Sequence, residues 1–279
     1  MSDLQLPELD HILDYLQEQT GLNFSANHSS MIIRRLQGRL TKTSQASYPE
    51  YLAYLKQHNT ELTELQDALT INVTRFFRDS FTFEYFNHQL LPEIFVEKKK
   101  SRYASLRIWS AGCASGEEAY SMAILIKEYL EKENQQISTS IFATDIDKKA
   151  LEAARAGVYS TKSVLDVKYQ YLQKYFIASD RGLELKAEIK NMVDFSFFDM
   201  LGHKPQTPSE SIYGGFDVVL CRNLLIYFQA DFQEIIIDKL YQSLNKNGFL
   251  ILGESERILG KLRDKFHEVS NLCRIYRKL

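Results

Sequence analysis

From about Leu106 onward the chain alternates short apolar runs with helical stretches, and this alternation limits the possible folds more than any other feature. Leu106-Arg107-Ile108-Trp109 reads as a buried strand and residues 116–130 as a helix. Ile141-Phe142-Ala143-Thr144 reads as a second strand, with a helix over 148–156. Phe216-Asp217-Val218-Val219-Leu220-Cys221 is another strand, 231–244 a helix, and Gly248-Phe249-Leu250-Ile251-Leu252 closes the repeat. Strands this apolar need cover on both faces, and the intervening helices supply it, so the expectation is an α/β domain built on a parallel sheet. The tail, 269–276, reads as one antiparallel edge strand.

The residues before this region have a different texture. Ile12, Leu13 and Leu16 share a helical face, Gly21 breaks the pattern, and Ile32, Ile33, Leu36 and Leu40 resume it. Tyr51, Leu52 and Leu55 follow Tyr48-Pro49, and Leu62, Leu65 and Leu69 mark a last helix. The expected organisation is an all-α N-terminal domain (1–70), a linker and start of the catalytic domain (71–105), and an α/β domain (106–279). Between the second helix and the next strand the interval is far longer than the ~2–6 residues of a simple α/β connection. Asp180-Arg181-Gly182, flanked by Tyr175-Phe176-Ile177 and Leu183-Glu184-Leu185, marks a hairpin there, so a small antiparallel β-subdomain is expected at about 158–194.

Composition removes several functional classes. Thirty-four basic against 36 acidic residues give a net charge of −2, so no global basic surplus favours nucleic acid. No apolar run approaches the ~20 residues of a membrane span, and the N-terminus has no signal-peptide pattern. Cys113, Cys221 and Cys273 form neither a C-x-x-C pair nor a disulfide framework, which fits reduced thiols in a cytoplasm. No metal site is expected.

Trp109-Ser110-Ala111-Gly112-Cys113-Ala114-Ser115-Gly116-Glu117-Glu118 joins the first sheet strand to its helix. Small residues there let the backbone turn sharply and approach a ligand at the carboxyl edge of the sheet. The segment is not a G-x-G-x-x-G fingerprint, and Glu117 and Glu118 would repel a pyrophosphate at that helix N-terminus. They suit a ligand bearing positive charge, or they simply complement the helix dipole. Asp145, just past the second strand, can accept hydrogen bonds from ribose hydroxyls, whereas Asp147, directly before the helical run, is the better N-cap.

Asn72-Val73-Thr74-Arg75-Phe76-Phe77-Arg78-Asp79, Ser110 to Glu118, Ala143 to Asp147, Cys221-Arg222-Asn223-Leu224-Leu225-Ile226-Tyr227-Phe228 and Gly248 to Glu256 occur in order. Together they closely resemble the chemotaxis receptor methyltransferases of the CheR type. The resemblance implies a Rossmann-like S-adenosylmethionine-dependent methyltransferase domain with an inserted small antiparallel β-subdomain, preceded by an all-α domain. It also implies that Asn72, Thr74 and Arg78 close over the cofactor, S-adenosyl-L-methionine (product S-adenosyl-L-homocysteine). By the same resemblance Gly112 and Glu117 contact the methionine portion and Asp145 the ribose. Asn223 and Leu224 line the cofactor site, while Tyr227, with Arg78, serves the reacting centre. Many members have Asn-Leu where this chain has Asp199-Met200; Asp199 can still accept from an adenine amino group. Read without the family, Phe76 and Phe77 are core aromatics and Arg78 an exposed charge.

The implied reaction is protein-glutamate O-methylation on the cytoplasmic helical domain of a chemoreceptor, by a cytoplasmic enzyme peripheral at receptor arrays. A glutamate carboxylate, with a pKa of ~4.3, is already ionised at pH 7, so no general base is needed. His11, His28, His58, His88, His203 and His267 accordingly lie outside the strand-end motifs. Arg222-Asn223-Leu224-Leu225 lacks the prolines common in enzymes that methylate bases. Arg34, Arg35, Arg39 and Lys42 are the candidate docking cluster for an acidic receptor helix. Lys98-Lys99-Lys100 with Arg102 reads as a solvated loop that could also attract one. Some members tether to a receptor tail through a glycine-rich loop in the β-subdomain; the Asp180-Arg181-Gly182 turn has no such run, and no tether is expected. Two other readings stay open: a non-catalytic cofactor-binding adaptor, and a methyltransferase acting on another protein or a small molecule. A nicotinamide-dependent oxidoreductase would want G-x-G-x-x-G and no acids at the phosphate site.

Overall fold

The computed structural model describes residues 6–70, 72–99, 105–202, 207–208 and 215–279. Among these, the residues before Asn72 together with Tyr227–Gln233 form one compact unit, and Asn72–Ile226 with Glu234–Leu279 form a second.

The first unit contains four helices, α1 (Leu6–Thr20), α2 (Ser29–Thr43), α3 (Tyr48–Gln57) and α4 (Asn59–Leu69). Their boundaries follow local chemistry. Gly21 leaves α1 at φ +77°, Ser44 ends α2 in the left-handed region, and Ser47 caps α3 by accepting from the Glu50 N–H. The apolar positions at helical spacing meet in a core of Ile12, Leu16, Ile32, Leu36, Tyr51 and Leu65, all buried.

Arg39 does not belong to a docking cluster. It is buried, with Nη2 2.6 Å from Glu61 Oε2 and Nε 2.9 Å from Glu61 Oε1, while the Tyr51 hydroxyl donates to Glu61 Oε1 at 2.6 Å. A guanidinium out of water requires such a partner, and α4 supplies it. Arg34 and Lys42 remain exposed and Arg35 is half-buried.

The second unit opens with a loop at 72–79, α5 (Ser80–Tyr85), a π turn (Phe86–Leu90) and α6 (Leu91–Lys98). Phe76 and Phe77 are core residues, as their apolar character requires. Lys98 is not in a solvated loop: it ends α6 and pairs with Asp217 at 2.7 Å. Lys100 and Arg102 lie outside the described residues.

The strands follow as β1 (Ser105–Ala111), β2 (Ser138–Asp145), β3 (Val158–Tyr159), β4 (Phe176–Ser179), β5 (Gly182–Leu185), β6 (Val193–Phe197), β7 (Phe216–Cys221), β8 (Leu244–Leu252), β9 (Phe266–Ser270) and β10 (Ile275–Lys278). Between them run α7 (Glu117–Lys132), α8 (Lys148–Ala156), α9 (Tyr169–Tyr175), α10 (Ala187–Lys190) and α11 (Ala230–Ser243).

Seven strands form one sheet in the order β6-β2-β1-β7-β8-β10-β9. The first five are parallel, and their buried runs, such as the six residues of β7, match a sheet covered on both faces. The tail makes two antiparallel strands rather than one. Arg274, at φ +51°, helps turn the chain back, so β10 pairs with β8 and β9 forms the edge. The insertion is a three-stranded sheet, β3-β5-β4, and the expected hairpin turns at Asp180-Arg181 between β4 and β5.

The Arg39–Glu61 pair generates a stability prediction. Burial alone would raise the Glu61 carboxyl, but hydrogen bonds from Arg39 and Tyr51 outweigh it and hold the folded pKa below the ordinary range. The stabilisation is therefore complete above ~4.3 and is lost as pH falls through the lower folded value. Glu61→Gln should lose about 3 kcal/mol at pH 7 in urea unfolding, with a smaller deficit at pH 3; an equal deficit at both would contradict the assignment.

Candidate active site

In the parallel part of the sheet the chain leaves β1 toward β2 and β6 on one side, and later adds β7 and β8 on the other. The switch falls between β1 and β7. Ligands of open α/β sheets bind in the crevice outside the carboxyl ends of strands at such a point. The loops after β1, β2, β6, β7 and β8 all emerge at that edge, and each carries residues that the sequence singles out.

After β1 the chain turns through Gly112 (φ +76°), Ala114 (φ +47°) and Gly116 (φ +90°). The Gly112 and Cys113 N–H groups donate to the Thr144 carbonyl at 2.8 and 2.9 Å. A Cβ on Gly116 would come within 2.9 Å of both the Phe195 ring and the Ala154 methyl, so any side chain there would separate α7 from the sheet. A Cβ on Gly112 would sit 3.0 Å from a Leu224 methyl, which brings two of the expected cofactor residues face to face.

Asp145 is the last residue of β2, not the first beyond it. Its carboxylate is buried and engaged on both oxygens: Ala114 N donates to Oδ2 at 2.8 Å and Asp147 N to Oδ1 at 2.9 Å. Each oxygen retains lone-pair capacity for a further donor. Burial pushes this carboxyl up, against the pull of those backbone hydrogen bonds. Asp147 caps α8, accepting from Lys149 N and Ala150 N, and its other oxygen accepts from the Asn72 amide. That last bond draws the 72–79 segment to the end of β2.

Glu117 opens α7 and is only 3% exposed. Ser115 Oγ donates to its Oε2 at 2.7 Å. Burial raises its pKa, and the Ser115 bond opposes the rise without cancelling it. Beside it, Glu118 does more than complement a dipole: it accepts from Ser110 Oγ at 2.8 Å and from Arg222 Nη1 at 3.1 Å.

Arg222, directly after β7, is a buried hub. Its Nη2 donates to the Arg78 carbonyl and to Asp79 Oδ2, both at 2.9 Å, and its guanidinium lies 5.2 Å from the Phe83 ring centroid. Arg78 itself is half-buried and donates to the Val73 carbonyl at 2.8 Å. Phe76, wholly buried, packs edge-on against Tyr159 at 4.8 Å and Phe176 at 5.4 Å. The loop that carries Asn72, Thr74 and Arg78 is thus tied to the sheet edge at Asp147 and at Arg222, while Phe76 anchors it to the inserted sheet.

Glu256 closes the site from the β8 side. Its Oε2 accepts from Asn223 N at 2.9 Å and Gly253 N at 2.6 Å, and its Oε1 from Ile226 N at 3.3 Å. Those bonds hold Asn223 at φ +58°, a conformation that asparagine tolerates. After β6, Asp199 Oδ1 accepts from Leu201 N at 2.8 Å and Met200 is buried. Tyr227 is half-buried, ends a short 3-10 turn, Leu225–Tyr227, and begins the segment Tyr227–Gln233 that belongs to the first unit.

The sequence reading missed Arg222, Asp79, Glu118 and Glu256 as a set. Arg222 and Glu256 both fall inside recognisable motifs, but Arg222 finds its partners 104 to 144 positions away, and Glu256 reaches back 30 and 33 positions to Ile226 and Asn223. The three thiols are buried and free, and burial raises Cys113 and Cys221 well above the ordinary range, so they stay protonated. His11 lies in α1, His58 between α3 and α4, His88 in the π turn and His267 in β9; His28 meets the loop after β7 through its backbone N–H, and His203 lies outside the described residues.

This is an α/β domain whose ligand edge is lined by carboxylates and backbone groups. Residues 72–274 match the family described as CheR methyltransferase, SAM binding domain, and residues 7–70 match CheR methyltransferase, all-alpha domain. The chain belongs to the CheR methyltransferase family. It is 32% identical to a chemotaxis protein methyltransferase of Borreliella burgdorferi, over 91% of this chain and 89% of that one. It is 34% identical to chemotaxis protein methyltransferase 1 of Vibrio cholerae, covering 91% and 90%. Against chemotaxis protein methyltransferase 1 of Pseudomonas aeruginosa the identity is 33%, covering 91% of each.

The chain is therefore an S-adenosylmethionine-dependent methyltransferase. The residues fit that cofactor, which carries an ammonium and a sulfonium but no phosphate. Glu117 offers a buried carboxylate, Asp145 another, and Gly112 leaves the approach free of a side chain.

Two outcomes follow. A cation bound by Glu117 needs the ionised carboxylate, so affinity for S-adenosylmethionine should fall as pH drops through the raised Glu117 value. That decline begins above the ordinary ~4.3. For the free protein the sign reverses: a raised carboxyl contributes most when protonated, and its contribution fades as pH rises through the folded value. Glu117→Gln should weaken binding at pH 7 and flatten its pH dependence in calorimetry; an unflattened profile would count against Glu117. Arg222→Met, which strands two half-buried acids, should cost about 3 kcal/mol in urea unfolding; a change under about 0.5 kcal/mol would show that the hub is dispensable.

Proposed function

We propose that the chain esterifies glutamate side chains on the cytoplasmic helical domain of a chemoreceptor, acting in the cytoplasm at the periphery of receptor arrays. The observation that carries this reading is the family match across both the all-α and the cofactor-binding parts, with relatives named chemotaxis protein methyltransferases on three sides. In keeping with it, no helix among the described residues is long and apolar enough to cross a membrane.

When bound, S-adenosylmethionine supplies a methyl group made electrophilic by its sulfonium. Everything else falls to side chains of this chain. Glu117, with Gly112 leaving room, receives the methionine ammonium, and Arg78 with Asn72 and Thr74 holds the methionine carboxylate. Asp145 accepts from the ribose, Asp199 and Met200 receive the adenine, and Asn223 and Leu224 form the wall between. The Tyr227 hydroxyl orients the acceptor carboxylate.

The acceptor is ionised at pH 7, so the protein need not remove a proton; its task is alignment and exclusion of water. A carboxylate nucleophile and a cationic leaving centre neutralise one another as they react. The site therefore gains by orienting the acceptor through a neutral hydroxyl, because a tight ion pair to the carboxylate would stabilise the ground state and raise the barrier. Tyrosine suits that role.

Labelled methyl transfer to a purified chemoreceptor cytoplasmic fragment tests the proposal. The label should be released as methanol by base, since carboxyl esters hydrolyse and methylamines do not. Tyr227→Phe should lower kcat by roughly tenfold or more while cofactor affinity holds. Asp145→Ala should raise the Kd for S-adenosylmethionine. Base-stable label would refute ester formation, and full activity in Asp145→Ala would refute the ribose assignment.

A further inference from the structure

The segment that carries Tyr227 is gripped by the connection between α1 and α2. His28 N donates to the Tyr227 carbonyl at 2.9 Å, and Gln229 N donates to the Ala26 carbonyl at 2.9 Å. The Gln229 side-chain amide donates to the Ser25 carbonyl at 3.0 Å and to the Asn27 carbonyl at 3.1 Å. Asn27 and Phe228 form an antiparallel bridge between these bonds. Three consecutive residues, 227 to 229, are thus paired with 25 to 28 in a miniature two-stranded ladder.

The gripping segment is itself rigid. Leu22, Phe24 and Ala26 are buried, so alternate side chains anchor it in the helical core. Asn23 Oδ1 accepts from Ser25 N at 2.9 Å and from Ser25 Oγ at 2.6 Å, a turn closed by its own side chain. Its far end is fixed because Met31 N donates to the His28 carbonyl at 3.0 Å as α2 begins. On the other flank of Tyr227, Ile226 N is held by Glu256. A tyrosine whose carbonyl is held in such a ladder has its backbone direction set by the partner strand.

We propose that residues 25–28 of the helical unit are a positioning element for Tyr227, setting the direction of its hydroxyl toward the acceptor carboxylate. The inference rests on the reading of Tyr227 given above. A one-residue slip in this ladder would turn the phenol to the opposite side, so the hydrogen bonds define which side it occupies.

His28 allows a clean test because its backbone lies at φ −62°, the angle that proline imposes. His28→Pro replaces the N–H donor by a ring methylene that faces the Tyr227 carbonyl, so it opens the ladder at that point, whereas His28→Ala keeps the donor. Full-length His28→Pro should show a kcat about tenfold below that of His28→Ala in methyl transfer to a chemoreceptor cytoplasmic fragment. The calorimetric Kd for S-adenosylmethionine should differ by less than about twofold between the two. Gln229→Ala, which removes two of the bonds, should lower kcat in the same direction and covers the case in which the proline variant fails to fold. Equal kcat values in His28→Pro and His28→Ala would overturn the proposal, as would a parallel loss of cofactor affinity, which marks a general scaffold. Tyr227→Phe separates the two readings: if it retains full kcat, the role of Tyr227 itself fails; if it is impaired while His28→Pro is not, only the positioning element fails.

Discussion

A loop leaving a strand has N–H groups that no ladder satisfies, and inside a protein each must find an acceptor. At the carboxyl edge of this sheet the acceptors are carboxylates. Asp145 collects the N–H of Ala114 from the β1 loop and of Asp147 from its own. Glu256 collects those of Gly253, Asn223 and Ile226. A carboxylate offers about four lone-pair sites, so one side chain can gather several strands of loop into fixed register.

The same acids set the electrostatics. Burial raises Asp145, Glu117 and Glu256, and their hydrogen bonds hold the rise in check. The edge is thus rich in acceptors and hostile to phosphate, while an ammonium or a sulfonium is welcome there. Arg222 is the counterweight. It neutralises Asp79 and Glu118 and, through the Arg78 carbonyl, brings the 72–79 segment to β7. Structure and charge are set by one group of residues, which links the fold directly to the choice of ligand.

Much of this was legible in the residue order, because period and burial are local properties. The apolar runs at 106–109, 141–144 and 216–221 declared a sheet, and Asp147 before a helical run declared a cap. Phe76 and Phe77 declared themselves as core. What escaped was non-local. Helical spacing grouped Arg39 with Arg34 and Arg35, but spacing cannot reveal that α4 brings Glu61 against it. Lys98 looked solvated until Asp217, 119 positions later, appeared beside it. The tail read as one strand because its turn uses Arg274 in a left-handed conformation instead of a glycine. Arg222 and Glu256 stood inside recognisable motifs, yet only the assembled sheet edge shows what they hold.

The account stands on a sheet edge that selects a phosphate-free, cationic nucleoside. Titrating the purified chain separately with S-adenosylmethionine and with NAD in a calorimeter tests this directly. Saturable 1:1 heat with the sulfonium compound and none with the dinucleotide is the expected result. Saturable binding of NAD, with no heat from S-adenosylmethionine, would contradict it.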